Sequence, residues 1–209
     1  EENQEEEEQA PVELAEENQE EEEEEQAPIE LAEETNVVPT DDDDDPLVGT
    51  TLRSYKLIKY LGTGATGPVY LAKHIHEHNR VAIKILHPEL TQDPKAVAEA
   101  YRTLEELQEL GHRNLIVTLE RVHELDSPSF YVMEALAGAN LAATLASAQT
   151  FSIRYILDIA IQMTNTLAIT HKAQKVHGHL SPRNIFLLNR GTPESMLKVL
   201  DFDSAALLT

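Results

Sequence analysis

From residue 55 onward, apolar and polar positions follow two different rhythms. Alternation with a period of two runs through residues 55–61 and 68–76, which predicts two strands joined by a glycine-rich turn. Residues 80–86 predict a third strand, apolar except for Arg80 and Lys84. The spacing then changes to three and four: Val97, Tyr101, Leu104, Leu107 and Leu110 mark one face of a helix. Asp93 suits its N-cap, Pro94 its first turn and Gly111 its end. Residues 115–124 and 130–135 return to strand character on either side of Asp126, Ser127 and Pro128. After Gly138 the pattern is helical, briefly over 141–148 and at length over 152–172, and then gives short strands at 185–188 and 197–200. Five strands with one inserted helix, followed by a helical region, predict an α+β architecture of a sheet-rich lobe and a larger helical lobe.

The first 46 residues lack any such rhythm. Residues 1–15 (EENQEEEEQAPVELA) recur at 16–32 (EENQEEEEEEQAPIELA) with two more Glu. Val12, Leu14, Ile29 and Leu31 are the only large apolar side chains in the two copies. Such a segment cannot bury enough surface to offset the entropy of ordering it, so a disordered acidic repeat tail is expected over 1–46, with Pro46 at its boundary. It suits a basic protein partner or weak binding of divalent cations by Asp41 to Asp45.

Of the 38 acidic residues, 23 lie in this tail, where there is no Lys or Arg; 15 acidic and 16 basic residues remain elsewhere. The formal net charge of −22 therefore belongs to the tail, and the near-neutral remainder gives no electrostatic ground for a nucleic-acid partner. The absence of Cys excludes disulfides and thiolate metal sites. No run of about 18 apolar residues could span a bilayer. The acidic start is unlike a signal peptide, so a cytoplasmic location is expected. The first residue is Glu rather than Met, which suggests a piece of a longer protein.

The candidate chemistry lies at the turns. Leu61-Gly62-Thr63-Gly64-Ala65-Thr66-Gly67-Pro68-Val69-Tyr70 carries a GxGxxG pattern. A dinucleotide site would follow it with a helix, whereas here a strand follows. A glycine turn between strands can instead let backbone N–H groups approach phosphates without a Cβ in the way. Lys84 in Val81-Ala82-Ile83-Lys84 is a lone charge in an apolar run. Further on come Val176-His177-Gly178-His179-Leu180-Ser181-Pro182-Arg183-Asn184 and Leu200-Asp201-Phe202-Asp203, with Gly111-His112-Arg113-Asn114 and Phe130-Tyr131-Val132-Met133-Glu134 between.

In this order and at this spacing, residues 55–209 resemble a bacterial-type serine/threonine protein kinase. The resemblance implies a five-stranded N-lobe over 52–136 carrying the αC helix, and a partial, incomplete helical C-lobe over 137–209. It implies ATP between the lobes, touching Leu61, Gly62, Gly64, Gly67, Val69, Ala82, Met133, Glu134, Leu136 and Phe186. Lys84 would hold phosphates, and Asn184 and Asp201 would hold Mg²⁺.

Three departures bear on catalysis. His179 stands at the catalytic Asp position, Ser181 replaces the neighbouring Lys, and Gly178 replaces the Arg that pairs with a phosphorylated activation loop. Counting back from His112 places Thr103 where the family carries the αC glutamate that pairs with the strand lysine; Glu99 and Glu106 share its helix face. Either a rotated or shifted helix offers one of them to Lys84, or both are solvated surface carboxylates. The third position of the metal-binding segment is Asp203, where either stronger Mg²⁺ binding or lost flexibility would follow. The expectation is an impaired ATP-binding domain, a pseudokinase with a regulatory or scaffolding role. The alternatives are an active kinase with an atypical loop and a non-nucleotide interaction module with an acidic docking tail. The sequence ends at Thr209, so the rest of the large lobe and any membrane span beyond it are expected in a longer parent.

Overall fold

The computed structural model describes residues 45–124, 127–147, 150–192 and 194–208. The expectation of a disordered tail falls, apart from Asp45 and Pro46, outside these residues. The first sheet contains β1 (Thr51–Leu52), β2 (Tyr55–Thr63), β3 (Pro68–His74), β4 (Arg80–Ile85), β5 (Thr118–Val122) and β6 (Phe130–Glu134). Their spatial order is β1-β2-β3-β4-β6-β5, with every pair antiparallel. The sheet is thus six-stranded where five strands were expected. The extra strand, β1, is two residues paired with the start of β2, too short to leave an alternating pattern.

Helix α1 (Pro94–Glu109) begins as predicted, with the Asp93 carboxylate accepting a hydrogen bond from the Lys95 N–H. Strand β5 starts three residues later than expected. Leu115 instead bridges Val199 in parallel, and Ile116 donates its N–H to the Val199 carbonyl at 3.4 Å. That stretch therefore belongs with the second sheet, formed by β7 (Ala139–Asn140), β8 (Ile185–Leu188) and β9 (Met196–Val199) in that order. Helices α2 (Leu141–Ala146) and α3 (Ile153–Lys172) precede β8, and a short α4 (Ser204–Leu207), which no sequence pattern announced, follows β9.

Strand β4 reads as a continuous apolar run because both of its faces are covered. Val81, Ile83 and Ile85 pack with Tyr55, Leu57, Tyr70, Phe130 and Val132 on one side. Ala82 joins Val97, Ala100 and Leu104 of α1, Tyr131, Met133 and Leu207 of α4 on the other. Lys84 falls by the same period of two on the α1 side, so the strand's one interior charge is delivered to that face. A third cluster of Leu107, Leu115, Ile185, Leu187, Leu197, Val199 and Phe202 carries the second sheet.

Helix α3 packs Ile159 and Met163 against that third cluster but leaves Ile153 71% and Ile161 58% exposed, with Ile156 and Leu157 beside them. Among the described residues no helix is long and apolar enough to cross a membrane. Contiguous exposed apolar surface promotes association. Replacing Leu157 by Glu and Ile161 by Lys, an i,i+4 pair of favourable orientation, should leave stability within about 0.5 kcal/mol. Light scattering at rising protein concentration should show less aggregation than for the unaltered chain.

Candidate functional site

Lys84 is fully buried, and its ammonium donates to Asp201 Oδ1 at 2.7 Å. An ammonium taken out of water loses several kcal/mol of hydration and persists there only with a close counter-charge. Asp201 supplies it from the loop after β9, with its backbone in the left-handed region at φ 64°. Asp tolerates this conformation better than most residues. The flanking residues hold it there: Leu200 donates its N–H to the Asn184 carbonyl at 2.9 Å, and Phe202 is buried against His177 with ring centroids 4.5 Å apart.

The glycine-rich turn between β2 and β3 lies directly on this ion pair. A Cβ at Gly64 would stand 3.6 Å from Asp201 Oδ2 and 3.9 Å from Lys84 Nζ. Val69 pairs in register with Lys84, and Ala82 pairs with Met133. Leu61 and Val69 are half-buried, as is Phe186 on β8, while Ala82 and Met133 are buried. Leu136 is half-buried just beyond β6. Glu134 gives its N–H to the Val117 carbonyl at 3.0 Å. Its carboxylate accepts from Lys198 Nζ at 2.6 Å and from the Val117 N–H at 2.9 Å, and Lys198 also donates to the Leu115 carbonyl at 3.0 Å. The side chain of Glu134 is therefore committed within the protein.

Asn184 donates through Nδ2 to the His179 carbonyl at 2.8 Å, and its side-chain oxygen has no hydrogen-bond partner among the described residues. The imidazole of His179 is exposed and has no hydrogen-bond partner among the described residues. The backbone of His179, by contrast, is fixed by its N–H on the His177 carbonyl at 2.8 Å. Glu99, Glu105 and Glu106 of α1 face Arg102, Arg121 and Lys175 respectively, and Glu106 also faces Arg102. None of them pairs with Lys84. Thr103 is buried on the inner face of the helix.

Sequence reasoning left the place of Asp203 open. Asp203 is fully buried with a right-handed backbone, φ −64°, and accepts from Tyr131 Oη at 3.2 Å and from Thr66 Oγ1 at 3.4 Å. Burial raises its carboxyl above the usual range; Lys84 pulls it down and Asp201 pushes it up. Burial, Asp203 and Asp201 together hold the Tyr131 hydroxyl protonated, so Tyr131 is the donor. The register Lys84↔Tyr131 was the signal for this cluster, but it needs the strand pairing to be seen. Chemically, the site offers a buried ammonium, the Asp201 carboxylate against it and, at Gly64, turn backbone without a side chain above the pair. A cavity of about 530 Å³ lined by Phe151, Arg154, Tyr155 and Arg190 lies elsewhere, at the start of α3, and contains none of these groups.

The sequence profile described as "Protein kinase domain" matches residues 55–209. The chain is 33% identical over 169 residues to "Serine/threonine-protein kinase Pkn1" of Myxococcus xanthus, covering 81% of this chain and 24% of that one. It is 29% identical over 165 residues to "Serine/threonine-protein kinase PknA" of Mycobacterium tuberculosis, covering 77% and 37%. It thus spans about a quarter to a third of these relatives. The crystal structure of the Mycobacterium tuberculosis PknI kinase domain superposes with a TM-score of 0.62 at 23% identity, over 75% of this chain and 62% of that one. At that identity the likeness concerns the fold alone.

His177 gives the cluster a pH dependence. It is buried, and Nε2 lies 2.8 Å from the Leu200 carbonyl, which holds it as the donor. Burial depresses its pKa below the ordinary 6.5, and His112 is depressed in the same sense by burial and Arg113. The unfolded chain then binds protons more readily than the folded one. The contribution of these two histidines to stability is therefore complete above about pH 6.5 and is lost as the pH falls below it, while the raised carboxyl of Asp203 acts in the opposite sense. Urea unfolding at pH 7.5 and 5.5 should show this loss, and a smaller one in His177→Gln, whose amide can still donate to Leu200.

Proposed function

Since the chain belongs to the protein kinase family, we propose that it binds ATP with Mg²⁺ and transfers phosphate poorly or not at all, acting as a pseudokinase in regulation or scaffolding. The observation that carries this reading is the Lys84–Asp201 pair at 2.7 Å, buried beneath the glycine turn. Lys84 holds the α- and β-phosphates, and Gly62, Gly64 and Gly67 let the turn's backbone approach them. Leu61, Val69, Ala82, Met133 and Phe186 provide the apolar walls for adenine. With the Glu134 side chain committed to Lys198, the base is met there and at Leu136 by backbone groups. Asn184 and Asp201 fit a hard divalent cation, because one offers an amide oxygen and the other a carboxylate. Mg²⁺ would supply charge neutralisation at the phosphate oxygens.

The impairment rests on the catalytic loop. His179, at the position of the family's catalytic Asp, presents an exposed imidazole, and a carboxylate for the substrate hydroxyl is missing there. Ser181 offers no positive charge to the migrating phosphoryl group, and such charge is a large part of this catalysis. Lobes bounded at 52–136 and 137–209 would place the nucleotide between them.

Mg-ATP should raise the melting temperature; at a hundredfold excess over Kd, ligand binding stabilises by about 2.7 kcal/mol. Asp201→Asn should remove the Mg²⁺-dependent part of that shift. With labelled ATP, Mg²⁺ and a generic basic protein, the parent protein should transfer label no faster than buffer. Turnover that Lys84→Met abolishes would instead establish an active kinase with an atypical loop. No melting shift at millimolar nucleotide would favour the interaction module.

A further inference from the structure

The glycine turn is tied to Asp203 as well as resting on the Lys84–Asp201 pair. Thr66, near the tip of the turn, is fully buried. A polar residue in a loop ordinarily sits at the surface. Here its carbonyl accepts the His87 N–H at 2.9 Å and its hydroxyl reaches Asp203 Oδ2 at 3.4 Å. Gly67 makes this descent feasible. Its φ is 151°, and a Cβ there would stand 1.8 Å from the Ile85 carbonyl oxygen, so any other residue would push the turn off β4. On the far side Asp203 is held by Tyr131, which lies opposite Lys84 in the β4–β6 register. Cross-strand neighbours project to the same face, so Asp203 lies on the same flank as the lysine.

In this arrangement a Cβ added to Gly64 would already touch Asp201 Oδ2 and Lys84 Nζ, so the gap between the turn and the ion pair is about a methyl group deep. A phosphate group needs that space to reach the ammonium. The family glycine at position 203 would have no side chain to fasten a turn.

We propose that Asp203 is a catch for the glycine turn: with Thr66 fastened to it the phosphate space over Lys84 is shut, and a nucleoside triphosphate enters only when Thr66 lets go. The gating half of this proposal rests on the nucleotide reading above; the catch itself does not. A protein that spends most of its time shut binds its ligand more weakly by the fraction open.

Hydrogen–deuterium exchange of the nucleotide-free protein tests the catch. Thr66→Val keeps the shape and removes the hydroxyl, and Asp203→Asn weakens the acceptor. Both should speed exchange of the Gly64 and His87 amides about tenfold while leaving the β8 amides unchanged, because a local opening is being released. Unchanged exchange at Gly64 and His87 in both variants overturns the catch. A fluorescent ATP analogue with Mg²⁺ tests the gate: Thr66→Val should bind about fivefold tighter than wild type, the scale of one lost hydrogen bond. Faster exchange with flat or weaker affinity overturns the gate. Faster exchange with no nucleotide bound by either protein sinks the nucleotide reading and leaves the catch supported.

Discussion

A single buried charge organises this protein. Lys84 arrives on the α1 side of the sheet because it alternates with Ile83 and Ile85, and an ammonium in that position must be neutralised from outside its own strand. The carboxylate that does so comes from residue 201, more than a hundred positions along the chain. For it to arrive, the β8–β9 hairpin has to place the loop after β9 beneath β4. The third apolar cluster does this work, with Phe202 and His177 locking the loop on one side and Leu200 on Asn184 on the other. Removing either partner would leave an uncompensated charge, which costs about 3–5 kcal/mol in buried pairs. Fold and site therefore depend on one contact.

The elements were legible where periodicity is long and strong. Strands β2, β3, β4 and β6 and helices α1 and α3 lie within two residues of where alternation, or spacings of three and four, put them. Misses have local causes. Strand β1 is too short to show a pattern. The start of β5 is drawn away by a bridge to Val199, a partner that no window of sequence contains. Helix α4 is four residues ending in Leu207, packed on α1 through a cluster formed only in three dimensions.

The candidate site divides in the same way. Gly62, Gly64, Gly67, Lys84, Asn184 and Asp201 could be named from spacing and family likeness, and the structure gathers Gly64, Lys84 and Asp201 within a few ångströms. What could not be read were partnerships. Glu99 and Glu106, each a candidate for Lys84, are taken by Arg102 and, for Glu106, also by Lys175. Asp203, an ambiguous substitution in the sequence, has its place set by a tyrosine hydroxyl and a threonine hydroxyl. Side-chain hydrogen bonds over separations of 72 and 137 residues leave no trace in any local rule.

The ammonium of Lys198 ties together by its side chain three segments that the backbone also links: β9, the segment after α1 through the Leu115 carbonyl, and the end of β6 through Glu134. The same Glu134 oxygen accepts from Val117, closing a small ring of polar contacts. Such a ring acts as a keystone: one ammonium satisfies a carboxylate 64 residues and a carbonyl 83 residues away in the chain, so a loss at Lys198 would strip a partner from both at once.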